Sequence, residues 1–311
     1  MRARANGENG GAAGVGGAVG AGGAGAGAGG AGGAAGVARA GLRQAVRAVL
    51  FMALIVIVAA AGAAHASAAQ GDSGAQQRRI AVVIDDFGNN MKGTAQMLDL
   101  PIKLTVAVMP FLPSTRKDAE AAYRKGHDVI VHLPMEPVRG KASWLGPNAI
   151  LTSLTDEEIR KRVEMAIADV PHAVGMNNHM GSKATADERI MRIVLQVCKE
   201  KGLFFLDSRT SYKSVIPKVA AEVGVPLLRN DVFLDDVYTT RHVSKQIEVI
   251  RQHLGKHDSC VTIGHVGPSG LITSGALRGA IPGFARSASF VKLTQLLPPP
   301  TGLDYAGETQ K

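Results

Sequence analysis

Short apolar runs alternate with longer amphipathic segments through most of the chain, and this alternation constrains the fold more than any other feature. The apolar runs have the length of strands and occupy residues 80–84, 104–108, 128–131, 173–176, 203–206, 225–228 and 260–263. The segments with helical spacing occupy residues 114–125, 155–169, 187–201, 212–223 and 243–254. Strands that alternate with helices pair in parallel, through right-handed crossovers.

The seven predicted strands fit an incomplete, distorted (β/α)7 barrel in a single α/β domain better than an eight-fold barrel. An open doubly wound sheet is the alternative, but no Gly-x-Gly-x-x-Gly pattern follows the first strand. Local signals support the predicted helix bounds. Thr155 and Glu158 have the spacing of a capping box, and Gly126, Gly202 and Gly224 stand where C-terminal helix caps are expected.

The alternation is confined to residues 80–297, which we predict to be one domain with a sizeable core. Residues 9–37 are almost entirely Gly, Ala and Val, so residues 1–47 are predicted to be a disordered leader. Residues 70–79 are predicted to be a linker. The Pro-rich and polar residues 298–311 are predicted to be a disordered tail.

The segment before the linker has the pattern of a secretory signal peptide. Three arginines lie within residues 39–47, the apolar stretch 48–64 follows, and an Ala-x-Ala pattern then gives cleavage points after Ala66 or Ala68. The alternative is an uncleaved inner-membrane anchor, because about 17 apolar residues is close to the lower limit for spanning a bilayer. Both interpretations of residues 48–69 place the domain in the periplasm or the exported cell envelope.

Charge and cysteine content exclude two classes of protein. The chain carries a formal charge of +9, but only 30 basic and 25 acidic residues follow residue 69, without a dense basic run interleaved with aromatic residues. A nucleic-acid partner is therefore not expected. The two cysteines, Cys198 and Cys260, exclude a framework of several disulfides and leave either one disulfide or two buried thiols, which their helical and strand contexts favour.

The first predicted strand ends in two adjacent carboxylates, Asp85 and Asp86, which Phe87 and Gly88 follow. In parallel α/β folds the carboxyl ends of the strands open onto the functional site. Successive side chains of an extended chain point to opposite sides, so one Asp can bind a metal while its neighbour acts as a base. The structural alternative is a helix N-cap or a turn, where Asp is also favoured.

Five further predicted strands end in side chains that ionise or bind metal. These are His132 and Glu136 after the third; Asn177, Asn178 and His179 after the fourth; Asp207, Ser208 and Arg209 after the fifth; Arg229, Asn230 and Asp231 after the sixth; and His265 after the seventh. Singly, each has a structural explanation, such as a hydrogen-bonded histidine or an Asp207–Arg209 ion pair. Together they predict a functional site, because barrel enzymes gather catalytic groups at this edge. Asp235 and Asp236 are assigned to a loop without a role.

Asp86, His132 and His179 offer one carboxylate and two imidazoles, a ligand set that suits a divalent transition metal such as zinc. Three protein ligands leave a coordination position open for water. A bound metal lowers the pKa of that water from about 16 to roughly 7, which is the chemistry of hydrolysis.

These motifs resemble the polysaccharide deacetylases of the carbohydrate esterase type (NodB-like), in particular their divergent branch of exported bacterial proteins, over residues 80–297. The resemblance implies that Asp85 is the general base and that Asp86 binds the metal. Residues 126–132 are similar to the segment that leads into the family's metal-binding His-x-x-x-His, whose first histidine is His132. The second histidine of that motif is replaced here by Glu136.

The resemblance also covers three later motifs. The arginine of the family's third motif would fall near Asn178 and is absent. Asp207 is similar to a later Asp motif, and His265 to the histidine that acts as general acid. We expect His179 to replace the missing metal ligand, with Glu136 and Asn178 as alternatives. Arg209 is expected to substitute for the missing arginine and, with Asp207, to tune the acid and the base.

The resemblance implies a metal-dependent hydrolase of the cell envelope, with zinc as its cofactor and an N-acetylated glycan as its substrate. No protein partner is predicted, and membrane contact is expected only if the N-terminal segment stays uncleaved. Two alternatives remain: an inactive module of the same fold that binds a glycan or a protein, and a deacylase that acts on a non-sugar amide. Trp144, in a predicted loop, has either a place beside the cleft or a packing role.

Overall fold

The strands of this protein form one curved parallel sheet, seen in a computed structural model that describes residues 77–298. The predicted leader and signal segment, and all of the predicted tail except Pro298, lie outside the described residues. The strand order is β6-β5-β4-β3-β2-β1-β8-β7, and β9 pairs with β1 outside this path. The sheet with its alternating helices confirms the predicted incomplete (β/α) barrel.

Each predicted run coincides with a strand, although β3 and β4 continue four residues beyond their predicted ends. They are β1 Arg78–Phe87, β2 Thr105–Val108, β3 Asp128–Met135, β4 Ala173–Met180, β5 Phe204–Asp207, β6 Leu227–Arg229, β7 Val232–Phe233, β8 Ser259–His265 and β9 Ala288–Val291. Sequence analysis missed β7 and β9, because a strand of two residues gives no periodicity and β9 alternates weakly. Strand β1 starts two residues earlier than predicted, inside the segment assigned to the linker.

Helices lie in the crossovers between strands. They are α1 Thr94–Leu98, α2 Thr115–Arg124, α3 Asp156–Asp169, α4 Glu188–Glu200, α5 Ile216–Val223, α6 Thr240–Leu254 and α7 Gly270–Phe284. The predicted capping box at the start of α3 is confirmed, and Gly224 ends α5 with a φ of 80°. Helix α7 was not predicted, because its four glycines and Pro282 disfavour a helix.

The two faces of the sheet pack against different parts of the chain. On β1, Ile80, Val82 and Ile84 face the helices and join the large core cluster. Ala81 and Val83 face the other side, where they pack with residues of neighbouring strands and with Leu293 of a C-terminal 3-10 turn. Side chains alternate between the two faces along a strand. A strand-end residue therefore reaches the functional site only if its side chain lies on the face that carries the site.

Both cysteines are buried thiols without a disulfide, as their sequence contexts favoured. Within residues 77–298, no helix has the length and apolar character needed to cross a membrane.

Helix α7 begins against the loop that precedes α1. A Cβ placed on Gly270 would lie 2.2 Å from the carbonyl oxygen of Lys92, closer than atoms can approach, whereas Gly275 has open space around it. We predict that Gly270→Ala destabilises the protein by more than about 1 kcal/mol, because the two backbones must separate.

The matched variant Gly275→Ala adds the same methyl group inside the same helix. It should leave stability unchanged or raise it by up to about 1 kcal/mol, because alanine favours the helix. Urea unfolding followed by circular dichroism measures both effects. Equal effects of the two substitutions would contradict the packing described here.

Candidate metal centre

The carboxyl ends of β1, β3 and β4 bring Asp86, His132 and His179 together, as the sequence predicted for a metal site. Asp86 Oδ1 lies 3.3 Å from His132 Nε2 and 3.1 Å from His179 Nδ1. The two imidazole nitrogens lie 3.0 Å from each other. The three atoms therefore form a nearly equilateral triangle.

The backbone of Asp86 explains how both adjacent aspartates reach the same cavity. Asp85 follows Ala81 and Val83 in the alternation along β1, so its side chain belongs to the face opposite the helices. Ordinary alternation would turn Asp86 towards the helices. Instead Asp86 has a φ of 69° and the pairing of β1 with β2 shifts register between Ile84 and Phe87, so that both carboxylates line the cavity.

Hydrogen bonds fix which nitrogen of each histidine faces the triangle. Asn177 donates from Nδ2 to Asp85 Oδ1 at 2.9 Å, which turns its Oδ1 towards His132 Nδ1 at 2.7 Å. His132 therefore carries its proton on Nδ1 and presents the lone pair of Nε2. His179 Nε2 lies 3.0 Å from the backbone oxygen of Trp144, so it donates there and presents the lone pair of Nδ1.

Three acceptor atoms thus face one another without a hydrogen between them, an arrangement that repels unless a cation lies among them. Asp86 Oδ1 is buried and has no hydrogen-bond partner of good geometry, despite its short distances to both imidazoles. Zinc bonds of about 2.0–2.1 Å in a tetrahedron place ligand atoms roughly 3.3–3.4 Å apart, close to the observed edges. The residues therefore fit a divalent metal, with the proton-bearing nitrogens held by outer partners.

Electrostatics agree with a site built for positive charge. Burial by itself raises the pKa of Asp86, but the imidazoles of His132 and His179 outweigh burial and hold that pKa well below its usual range. Burial lowers the pKa of His132, but the carboxylates of Asp85 and Asp86 outweigh it and raise that pKa. A proton can thus take the place of the metal, so metal and protons compete for this site.

Asp85, the predicted base, is almost fully buried beside the triangle. Its Oδ2 lies 3.7 Å from His132 Nε2, and its Oδ1 accepts the hydrogen bond from Asn177. Burial raises the pKa of Asp85. A neutral amide thus holds Asp85, in place of the Arg209 that sequence analysis expected there. Sequence analysis treated Asn177 only as one of three polar residues after β4, because an Asn at a strand end is usually a cap.

His265, the predicted acid, stands opposite Asp85 in the register between β1 and β8. Its Nδ1 lies 2.7 Å from Asp235 Oδ1, and its ring stacks on Phe233 with centroids 6.3 Å apart. Burial lowers the pKa of His265, but the Asp235 hydrogen bond and the carboxylates of Asp86 and Asp85 raise it to about 9. His265 is therefore an imidazolium at neutral pH and has a proton to donate.

Asp235 belongs to the candidate site, although sequence analysis assigned it no role. It is fully buried, and its Oδ2 accepts hydrogen bonds from the backbone of His265 and from the hydroxyls of Ser269 and Thr273. A signal was available: the apolar residues 232–234 precede Asp235 and Asp236 just as β1 precedes its own Asp pair. The run was too short to be read as a strand.

The structure does not bring Asp207 and Arg209 to this site. Phe204 and Leu206 face the side of the sheet that carries the site, so Asp207 faces the helices. The Asp207 carboxylate accepts hydrogen bonds from the backbone of Arg209 and from Ser214, and Arg209 Nη1 donates to the backbone oxygen of Asn230. Among the described residues, Asn177 makes the contact with Asp85 that was expected of Arg209, and Asp235 makes the contact with His265 that was expected of Asp207.

Glu136 also lies away from the triangle. Strand β3 continues to Met135, and four extended residues span about 13 Å, too far for His132 and Glu136 to share one ion. The Glu136 carboxylate instead accepts hydrogen bonds from Thr152 and Lys183. The other alternative, Asn178, uses its amide to bind Met180 and the start of the β5–α5 loop, although it borders the cavity.

The site opens into a cavity of about 780 Å³ at the carboxyl edge of the sheet. Trp144 and Tyr238 line it from opposite loops, and each has more than half of its surface exposed. The apolar side chains of Met91, Met109 and Leu112 line it as well. The cavity thus combines an ionic centre with exposed aromatic rings, and Trp144 lies beside the cleft.

Comparison with known proteins agrees with the motifs. Residues 82–297 match the family described as divergent polysaccharide deacetylase, which confirms the resemblance found in the sequence. An uncharacterized protein of Haemophilus influenzae is 38% identical over 193 residues, covering 62% of this chain and 68% of the relative. The uncharacterized protein YibQ of Escherichia coli is 33% identical over 222 residues, covering 71% of this chain and 68% of the relative.

A solved structure supports the fold. The crystal structure of an uncharacterized protein from Agrobacterium tumefaciens superposes with a TM-score of 0.65 at 22% sequence identity, covering 72% of this chain and 91% of that one. At this identity the likeness concerns the fold alone.

We predict that Asp86→Ala and His179→Ala each bind one zinc ion fewer per chain than the wild type. Either change removes one of three converging ligands and leaves the others without a closed coordination shell. Metal analysis after dialysis against buffered zinc measures the difference. Glu136→Gln is the control, and it should keep the wild-type metal content; a loss of metal in this control with full retention in His179→Ala would reverse the assignment.

Proposed function

The chain belongs to the divergent polysaccharide deacetylase family, and we propose that it is a zinc-type metal-dependent hydrolase of the cell envelope that removes acetyl groups from an N-acetylated glycan. One observation carries the proposal. The metal triangle, the buried carboxylate of Asp85 and the protonated His265 all line the same cavity. Amide hydrolysis needs these three elements: a Lewis acid, a base and an acid.

A divalent cation held by Asp86, His132 and His179 supplies Lewis acidity towards water and a carbonyl oxygen. Asp85 accepts the proton of the water that attacks the amide carbon. Its pKa, raised by burial, makes it a stronger base than an exposed carboxylate. Asn177 keeps one Asp85 oxygen occupied, so that the other is directed towards the triangle.

His265, which lies beside Asp85 on the neighbouring strand β8, acts as the acid. As the carbon–nitrogen bond breaks, the imidazolium gives its proton to the nitrogen, and the products are acetate and a free amine. Asp235 holds Nδ1 of His265, which leaves Nε2 to face the substrate, and stabilises the charged ring. The exposed rings of Trp144 and Tyr238 offer apolar faces on which sugar rings can pack.

The location in the cell envelope is supported by the N-terminal sequence alone. Basic residues, an apolar stretch and an Ala-x-Ala exit precede the domain, and cleavage or retention of this segment leaves the domain outside the cytoplasmic membrane in either case.

A second candidate is a module that binds glycan without turnover. It is favoured by the departures from the family pattern: Glu136 stands in place of the second histidine and is engaged by Thr152 and Lys183, and the arginine of the third motif is absent. The two candidates differ in whether acetate is released.

Acetate release from N-acetylated chitin and peptidoglycan oligomers tests the proposal. The metal-loaded protein should release acetate, removal of metal with a chelator should abolish release, and Asp85→Asn should lower kcat by about 10²–10⁴-fold because the base is lost. Glycan binding by the metal-loaded chain without acetate release from any of these substrates would establish the binding module instead.

We predict that Asp235→Asn shifts the alkaline limb of the pH profile of kcat to lower pH by at least about one unit. His265 must be protonated to donate, so activity is present below its pKa and lost as pH rises through it. Without the Asp235 charge, the pKa of His265 falls from about 9 towards its ordinary value, because burial lowers it and only the carboxylates of Asp86 and Asp85 remain to raise it. Asp236→Asn, which changes an exposed neighbour bonded to His242, should leave the limb in place.

A further inference from the structure

A second group of metal-binding side chains lies at the other end of β8. Asp231, just before β7, His253, in the last turn of α6, and Cys260, near the start of β8, each offer one ligand atom, and these atoms all lie within 4.8 Å of one another. Cys260 is fully buried, while His253 and Asp231 are partly exposed. Cys260 and His265 are five strand residues apart, about 17 Å, so this group is separate from the first metal centre.

An ion pair accounts for only two members of the group. His253 Nε2 lies 3.7 Å from Asp231 Oδ2, within ion-pair range but beyond hydrogen-bond distance, and Cys260 takes no part in this pair. The Asp231 carboxylate is instead oriented by the backbone N–H of Val261, which donates to Oδ2 at 2.9 Å. Ligating carboxylates are commonly held by such an outer hydrogen bond.

The two buried cysteines differ in their neighbours. The Sγ of Cys260 has only a weak contact, at 3.9 Å, with the backbone oxygen of Val261. Cys198 offers a comparison: it is also buried, but its Sγ lies 3.8 Å from the sulfur of Met176 and it belongs to no group of metal-binding side chains in the described part of the chain. Only Cys260 thus lies between an imidazole and a carboxylate.

The distances suit a borderline-soft cation. Zinc bonds of about 2.3 Å to sulfur and 2.0–2.1 Å to nitrogen and oxygen place tetrahedral ligand atoms roughly 3.4–3.6 Å apart, so the side chains need to close by about 1 Å. The ring of His257 stacks on that of His253, with centroids 4.2 Å apart, and leaves a further imidazole near the group.

We propose that Asp231, His253 and Cys260 form a second binding site for a zinc-type divalent cation, separate from the first centre and structural in role. The site has a thiolate, an imidazole and a carboxylate, with the fourth position taken by water or His257. It joins the loop before β7, the end of α6 and the start of β8. Strand β7 leads into Asp235, whose carboxylate contacts His265. A cation at the second site would therefore stabilise the segment that positions Asp235.

Cobalt binding tests the proposal, because a thiolate ligand gives Co²⁺ an intense near-ultraviolet charge-transfer absorption that nitrogen and oxygen ligands do not give. The first centre contains no sulfur. Titration of the reduced, metal-free full chain with Co²⁺ alone should therefore produce this band, and the band should saturate by two equivalents per chain because both centres take up the ion. The band should remain in Asp86→Ala, which impairs only the first centre.

The matched pair of cysteine variants locates the sulfur. Cys198→Ser should keep the band and Cys260→Ser should lose it, while His253→Asn, a change at a partly exposed residue that leaves the core intact, should weaken Co²⁺ affinity at this site by about 10–100-fold. Circular dichroism verifies that each variant is folded. A wild-type chain without the band, or a band that persists in Cys260→Ser, would overturn the second site.

Discussion

The central constraint on this structure is the burial of two adjacent carboxylates at the end of β1. That strand lies between β2 and β8 and is covered on both faces, so Asp85 is almost fully buried and Asp86 is mostly buried in the wall of the cavity. Buried charge is costly unless it is paired. The positions of His132, His179 and His265 follow from this need, since each brings an imidazole to one of the two carboxylates.

The same constraint separates the roles of the two carboxylates. Asp86 is surrounded by ring nitrogens whose protons are held elsewhere, which leaves room for a cation. Asp85 is held by the amide of Asn177, which donates a hydrogen bond but carries no charge. An arginine in that place would have lowered the pKa of Asp85, whereas an amide leaves the effect of burial dominant. Asn177 therefore anchors Asp85 without placing a positive charge beside it.

Much of the fold and part of the site could be predicted from the sequence, and the failures have physical causes. Asp86, His132 and His179 were found because strand ends meet at one edge of a parallel sheet. Asp207 was wrongly placed in the site, because the sequence showed that it ends β5 but did not show which face of the sheet its side chain occupies. Asp235 was missed because β7 is too short to show a period.

The sequence by itself determined the alternation of strands and helices, the strand ends that carry polar side chains, and the family, since each of these depends on local spacing along the chain. Tertiary structure alone decided which of those side chains meet. The positive φ of Asp86, the tautomers set by Asn177 and Trp144, and the pairing of His265 with a residue from another strand depend on neighbours distant in the chain. A hydrogen bond between such neighbours has no local pattern in the sequence, because its geometry exists only once the sheet has closed.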